Sequence, residues 1–303
     1  MSEQRGTVRQ LLRAYGLRPQ KRLGQNFLEN PAILQRIVDA AELTPDDLVL
    51  EIGPGLGTLT RPLAASAGRV LAVELDEHLA AILPGILADC PNVEVIHGDI
   101  LALDPAILFP ERPAGYKVVA SLPYYVTSAV LRHLLESLAR PCLMVLILQR
   151  EVARRLVAGP GEMSLLAVSA QFYGRPRIVA HIPAGAFYPP PQVDSAVVRI
   201  DVYDQPPVPV DDAGSFFRVV RAGFSQRRKQ LRNALSHGLG RPVEEIVAAL
   251  ERAGIAPQRR AETLSLAEWT ALWGAITIGS NELVCQAAQK NRGSDDGRRF
   301  EAS

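Results

Sequence analysis

The run Leu48-Val49-Leu50-Glu51-Ile52, closed by Gly53-Pro54-Gly55-Leu56-Gly57, reads as a buried strand that stops on a glycine-rich turn. Downstream, Thr58–Ala67 has helical character and Gly68 is well placed to end it. Val70–Leu75 is the next strand and Asp76–Ala88 the next helix, with further strands over Val93–His97, Lys117–Ser121 and Leu143–Gln149. Between the last two, Val130, Leu131, Leu134, Leu135 and Leu138 recur at helical spacing. Upstream, Asn30-Pro31 supplies an N-cap and first-turn pair for a helix whose apolar stripe is Ile33, Leu34, Ile37, Val38 and Ala41. This alternation predicts an α/β fold, a Rossmann-like parallel sheet with helices on both faces.

Past Gln149 the pattern loosens. Ile178–Ile182 and Ala196–Val202 read as late strands around a proline-rich segment, Phe187–Pro191. Gln205–Val210, with Pro206, Pro207 and Pro209, reads as a linker. Phe216–Arg221, Arg228–His237, Val243–Arg252 and Ala267–Ile276 are short helix candidates, predicting a small C-terminal helical domain. The expected organisation is a basic segment over 1–22, a main domain over 23–204, a helical domain over 211–278 and a polar tail over 279–303.

Composition narrows the class. The 303 residues include 48% apolar and 21% charged side chains, an ordinary globular balance that excludes disorder for most of the chain. No apolar run approaches the roughly 20 residues of a membrane helix; the longest, Cys142–Leu148, has strand length. Residues 1–22 hold six basic side chains against one acid, Glu3, and lack the apolar core of a secretory signal, so export is not expected, while a basic mitochondrial presequence stays open. Cys90, Cys142 and Cys285 are odd in number and far apart, which fits neither a disulfide framework nor zinc spacing. His78, His97, His133, His181 and His237 show no metal-ligand pattern either, so no metal is expected. Ser195 lies in V-D-S-A-V rather than in a nucleophile elbow, leaving a hydrolase without support.

Four features follow successive strands: the Gly53–Gly57 turn, Glu74, Asp99, and Ser121-Leu122-Pro123-Tyr124. They are separated by 21, 25 and 22 residues, each interval fitting one strand–helix unit. In a parallel sheet they converge beyond the carboxyl ends of the strands, where such folds bind ligands. The glycine spacing is G-x-G-x-G, with Thr58 where a dinucleotide fingerprint wants Gly or Ala, which argues against a nicotinamide cofactor. Glu74 is placed to accept from ribose hydroxyls, and Asp99 either from an adenine amine or from a helix start. Ser121 and the turn after it offer a side-chain and a carbonyl acceptor to an adenine exocyclic amine. Such an amine is a poor nucleophile until its N–H bonds are polarised. Tyr124 adds an aromatic face for the base.

With these motifs the chain resembles the ribosomal RNA adenine N6,N6-dimethyltransferases of the kasugamycin-resistance type, S-adenosylmethionine-dependent enzymes of small-subunit maturation. The likeness spans about Leu11 to Leu272. It rests on K-R-L-G-Q-N-F-L (Lys21–Leu28), E-I-G-P-G-L-G-T-L (Glu51–Leu59), V-E-L-D (Val73–Asp76), G-D-I-L (Gly98–Leu101) and S-L-P-Y. It continues in F-Y-P-P-P-Q-V-D-S-A-V-V (Phe187–Val198) and F-S-Q-R-R-K-Q-L-R-N-A-L (Phe224–Leu235). The resemblance implies an S-adenosylmethionine site of Asn26, Leu28, Gly53, Gly55, Glu74, Asp99 and Ser121. It implies a catalytic group of Ser121, Leu122, Pro123 and Tyr124, with Phe187 stacking the target base opposite Tyr124. Ser121 departs from the family's usual Asn; a hydroxyl still accepts a hydrogen bond but reaches less far than a carboxamide.

The net charge of +1 hides a segregation. No acid lies between Asp212 and Glu244, while Arg218, Arg221, Arg227, Arg228, Lys229, Arg232 and Arg241 lie there. Arg221, Arg227, Arg228, Lys229 and Arg232 are the expected phosphate contacts to small-subunit ribosomal RNA in an immature subunit, the protein acting as a monomer. Two other functions compete: an assembly factor that binds RNA with weak catalysis, and a large-subunit adenine methyltransferase.

Overall fold

The computed structural model describes residues 7–110, 115–123, 126–206 and 213–278. It divides into two compact units, Met1–Val157 with Ser169–Pro207, and Ala158–Val168 with Val208–Ser303. Among the described residues no helix is long and apolar enough to cross a membrane.

The first unit is built on strands β1 (Leu48–Ile52), β2 (Arg69–Glu74), β3 (Val93–His97), β4 (Lys117–Ser121), β5 (Leu143–Gln149), β6 (Gly174–Ile182) and β7 (Ser195–Val202). They form one seven-stranded sheet in the order β3-β2-β1-β4-β5-β7-β6. The first five run parallel, and β7 is antiparallel to both β5 and β6. The chain leaves β1 towards β2 and β3, then crosses back to place β4 on the other side. That reversal opens a crevice at the carboxyl ends of β1 and β4.

Both faces of the sheet are buried, as parallel strands require. Val49, Val70, Val119, Val145 and Val197 share one core with Ile37, Val38 and Ala41 of the helix Pro31–Ala41. Leu50, Leu71, Val118, Met144 and Val198 alternate to the opposite face and are equally buried. The helix Pro31–Ala41 starts as its sequence dictates, with the Asn30 side chain accepting from the Ile33 N–H at 3.2 Å and Pro31 in the first turn.

Two helices are shorter than their patterns suggest. The helix expected over Thr58–Ala67 spans Thr60–Ala64, because the glycine turn runs on: Gly57 has φ +74° and donates to the Pro54 carbonyl. The one expected over Arg228–His237 begins at Leu231, after a turn closed by the Lys229 N–H on the Gln226 carbonyl.

The second unit contains the helices Ala213–Phe224, Leu231–Leu239, Val243–Arg252 and residues 266–278. Its core centres on Trp269, fully buried with its ring 5.4 Å from that of Phe224. Arg259 is ion-paired with Glu268 and, through its hydrogen bonds, holds that carboxyl down to about 2. Residues 158–168, expected in the main domain, belong here instead. The Gly161 and Met163 N–H groups both donate to the Glu262 carbonyl, at 2.8 and 3.1 Å. The expected linker Gln205–Val210 falls mostly, and the tail over 279–303 wholly, outside the described residues.

One side chain of β1 stands out energetically. Glu51 is 1% exposed, and neither of its carboxyl oxygens has a hydrogen-bond partner among the described residues. Burial pushes its pKa up to about 8; the Glu74 charge adds to the rise, and the neighbouring Thr60 hydroxyl opposes it. The folded chain thus holds the Glu51 proton that the unfolded chain releases near 4.5. Its contribution to stability is full below that value and is lost as pH rises through about 8. Glu51→Gln, which keeps the neutral shape, should therefore raise the melting temperature at pH 8 by several degrees, at roughly 2–4 °C per kcal/mol. At pH 5 it should change the temperature little. Thermal melts at both values check the sign.

Candidate active site

The carboxyl ends of β1, β2 and β3 are stitched together by backbone groups. The Gly53 N–H donates to the Val73 carbonyl at 3.0 Å, and the Gly98 N–H to the Glu74 carbonyl at 2.9 Å. Gly53 and Gly55 have φ of +74° and +60°, a region that favours glycine. Space is short as well: a Cβ on Gly53 would stand 3.1 Å from the Ser121 carbonyl oxygen, and one on Gly55 would stand 3.0 Å from the Phe27 ring. The glycine turn is therefore a thin backbone wall between the end of β4 and the N-terminal segment.

Glu74 closes β2 and is buried. Its Oε2 accepts from the Gly55 N–H at 3.0 Å and its Oε1 from the Asp76 N–H at 2.9 Å. An ionised carboxylate has about four acceptor sites. The backbone takes part of that capacity and leaves the rest unfilled. Burial pushes the Glu74 carboxyl up, against the Asp76, Gly55 and Leu75 N–H groups that favour its charge, and the Asp76 charge pushes it further. Asp99 lies beyond β3, exposed, and its Oδ1 accepts from the Leu101 N–H at 2.9 Å, starting a short 3-10 turn. The helix-start role and a place beside Glu74 thus coincide in one residue, since Glu74 pairs with His97 across the strands.

Ser121 ends β4 half-buried, opposite Ile147 of β5. Leu122 is buried, and the Pro123 carbonyl accepts from the Val126 N–H at 3.2 Å and the Thr127 hydroxyl at 3.3 Å, turning the chain into the next helix. Tyr124 lies outside the described residues. Phe187 pairs with Leu28, and Tyr188 with Phe27, in a two-stranded antiparallel sheet. The Phe187 ring is 6% exposed and shares the core that holds Leu28, so it stands in the wall rather than as an open face.

The N-terminal segment crosses this group. Gly24 approaches Pro123 closely enough that a Cβ would meet the proline Cβ at 3.3 Å, and Asn26 donates to the Gly24 carbonyl at 3.0 Å. What fastens the segment was not expected from sequence. Gln20 Nε2 and Gln25 Nε2 both donate to Asp76 Oδ2, at 2.8 and 2.7 Å. Asp76 Oδ1 meanwhile caps the following helix through the His78 and Leu79 N–H groups. Asp76 is 6% exposed and stands two residues past Glu74, the last residue of β2. The hint lay in the L-G-Q-N-F-L run, but Gln25 and Asp76 are 51 residues apart and nothing local pairs them.

In the second unit, Arg221, Arg227, Arg228 and Lys229 are exposed and Arg232 is half-buried. None forms an ion pair with the described residues.

A switch-point crevice, a thin glycine wall, a strand-end carboxylate and a short acceptor turn fit the donor site of an S-adenosylmethionine-dependent methyltransferase, the class to which comparison with known proteins assigns the chain. Residues 16–277 match the family model described as Ribosomal RNA adenine dimethylase. A Ribosomal RNA small subunit methyltransferase A of Dehalococcoides mccartyi (strain ATCC BAA-2266 / KCTC 15142 / 195) is 48% identical, the alignment covering 88% of this chain and 91% of the relative. Its namesake in Pelotomaculum thermopropionicum is 47% identical, covering 88% and 94%. Among solved structures, the 23S rRNA methyltransferase ErmE superposes with a TM-score of 0.67 at 30% identity, over 83% of this chain and 100% of that one. A dimethyladenosine transferase from Plasmodium falciparum shares the fold, with a TM-score of 0.68 at 23% identity over 81% and 95%. The chain belongs to the ribosomal RNA adenine dimethylase family.

Two outcomes follow from this geometry. Donor affinity should weaken on acidification at a higher pH than an ordinary glutamate would give, because protonating Glu74 removes acceptor capacity and its pKa is raised. Calorimetric titration of S-adenosylmethionine from pH 8 to 5, against Glu74→Gln as a pH-insensitive reference, reads it. Replacing Gln20 and Gln25 together by Ala should loosen the N-terminal segment. We expect faster proteolysis near residue 22 and donor binding weaker by roughly tenfold, two charge-assisted hydrogen bonds being lost. Unchanged affinity would mean that the segment is held elsewhere.

Proposed function

We propose that this protein transfers methyl groups from S-adenosylmethionine to N6 of two adjacent adenosines near the 3′ end of small-subunit ribosomal RNA. It acts in the cytoplasm, as a monomer, on the immature 30S subunit. The observation that carries the reading is the meeting of Gly53, Glu74 and Ser121 at one crevice under the Gly24–Leu28 segment, in a chain of this family. The small-subunit branch is favoured over the large-subunit one because relatives of that name reach 48% identity, against 30% for the 23S enzyme.

Glu74 holds the two ribose hydroxyls of the donor and Asp99 its adenine amine, while Asn26, Leu28, Gly53, Gly55 and Ser121 enclose the methionine end. When bound, S-adenosylmethionine supplies a methyl group on a sulfonium, a leaving group that makes a covalent enzyme intermediate unnecessary. The work left to the chain is to place the target amine and polarise it. Ser121 Oγ and the Leu122 carbonyl accept hydrogen bonds from its two N–H groups, so that the nitrogen lone pair leaves conjugation with the ring and points at the methyl group. The new N–C bond forms as the sulfonium C–S bond breaks to a neutral thioether, and the methylated nitrogen releases one proton to solvent. Pro123 fixes the turn that presents that carbonyl, and Tyr124 flanks the base, with Phe187 backing the pocket from within its wall. The adenosine must leave its stack to reach this depth. Arg221, Arg227, Arg228, Lys229 and Arg232 of the helical unit grip phosphates, giving affinity; selection comes from the shape of the folded RNA.

Unmethylated small subunits incubated with protein and donor should yield N6,N6-dimethyladenosine on nucleoside mass spectrometry. Ser121→Ala should slow the reaction by about 10²–10³, by analogy with deleting a transition-state hydrogen bond. Ser121→Asn should retain it. Intact protein that binds donor and RNA but makes no dimethyladenosine would defeat the proposal.

A further inference from the structure

Outside the donor crevice, the first unit has a second cleft of about 350 Å³, lined by Arg150, Arg154, His181, Ile182, Pro183 and Asp194. Arg150 and Arg154 are one turn apart on the helix Arg150–Leu156 and so share a face. His181 comes from β6, opposite Ala196 of β7. All three basic side chains are exposed, and none forms an ion pair among the described residues. The one acid, Asp194, is structurally committed. Its Oδ1 accepts from the Ala184 N–H at 3.0 Å and its carbonyl from the Arg150 N–H at 3.0 Å, pinning the loop after β6 to the start of the helix.

Two guanidinium groups and an imidazole converging on an open cleft match the oxygens of a phosphate, which arginine binds through paired N–H donors. The position narrows the source. Gln149 and Ile182 both pair with Ser195, so the cleft lies at the same sheet edge as Ser121. In the sheet order, β1, β2 and β3 carry the donor side of that edge, and β5, β7 and β6 lie across β4 from it. The last three stand one to three strands from β4, about 5–15 Å at the usual inter-strand spacing. The cleft is thus within one or two nucleotide lengths of a base placed at Ser121, on the side across β5 from the donor.

We propose that this cleft is a phosphate-binding subsite that holds the RNA backbone beside the extruded adenosine; the inference rests on RNA being the substrate. Arg150 and Arg154 clamp the phosphodiester, His181 contributes an N–H from the facing strand, and Asp194 sets the cleft's shape.

The test measures fluorescence anisotropy of an unmethylated hairpin from the 3′ end of small-subunit rRNA at several salt concentrations. The double variant Arg150→Ala/Arg154→Ala should bind about tenfold more weakly at low salt, with the slope of log affinity against log salt reduced by about 1–2. Its S-adenosylmethionine affinity and melting temperature should match the parent, and Arg150→Lys/Arg154→Lys should recover most of the slope. Unchanged affinity and slope in the Ala variant would overturn the proposal. Inorganic phosphate should compete with the hairpin in the parent more than in the variant; phosphate binding that leaves RNA affinity untouched marks a free-anion site and also overturns it. A cleft-dependent salt slope without dimethyladenosine formation would uphold the subsite while removing the methylation reading.

Discussion

Glu74 is the interaction on which the crevice depends. One buried carboxylate takes the Gly55 N–H from the turn after β1 and the Asp76 N–H from the turn after β2. The turns of two neighbouring strands are thereby locked to each other before any ligand arrives. Had these backbone donors been left unpaired in so buried a place, each would cost about 1–3 kcal/mol. The arrangement explains why an ionisable group is tolerated there: burial disfavours its charge, and the two N–H groups favour it.

Asp76 extends the same logic one step outward. Its Oδ1 starts a helix and its Oδ2 takes both glutamine side chains of the N-terminal segment. The chain from Gln25 through Asp76 to Glu74 links the segment over the crevice to the carboxylate inside it. Glu51 is the counterexample in the same neighbourhood. Its carboxyl sits in the middle of β1 without a partner among the described residues, so it is held neutral over a range where Glu74, two backbone donors better off, has reason to ionise. Two neighbouring glutamates, the charge of Glu74 raising the pKa of Glu51, are thus separated in behaviour by local hydrogen bonding.

Most of the first unit was legible because parallel strands buried on both faces are short apolar runs with sharp ends. Val93–His97, Lys117–Ser121 and Leu143–Gln149 coincide with their patterns residue for residue. β6 was only half legible: it begins at Gly174 rather than Ile178, since an edge strand can carry Arg175, Pro176 and Arg177, which read as loop. The convergence of Gly53, Glu74 and Ser121 followed from spacing alone, because strand order places successive strand ends together. The Asp76 clasp and the attachment of residues 158–168 to the helical unit did not. Both are made by groups far apart in the chain, Gln20 to Asp76 and Gly161 to Glu262, and no local pattern encodes such pairings.

The sheet edge has a division of labour that its topology imposes. Strands β1 to β3 end in acids and glycines, which suit a ligand rich in hydroxyl and amine donors. The helix after β5 carries Arg150 and Arg154, and the end of β6 carries His181, which suit a polyanion. Ser121, on β4, stands between them and carries no charge. The antiparallel β7 makes the second half possible. By returning alongside β5 it brings the end of β6 to the same edge, so a basic side chain from a strand late in the sequence faces a helix that begins directly after β5. A sheet that stopped at β5 would have kept the donor half and had only one wall of the cleft beside it.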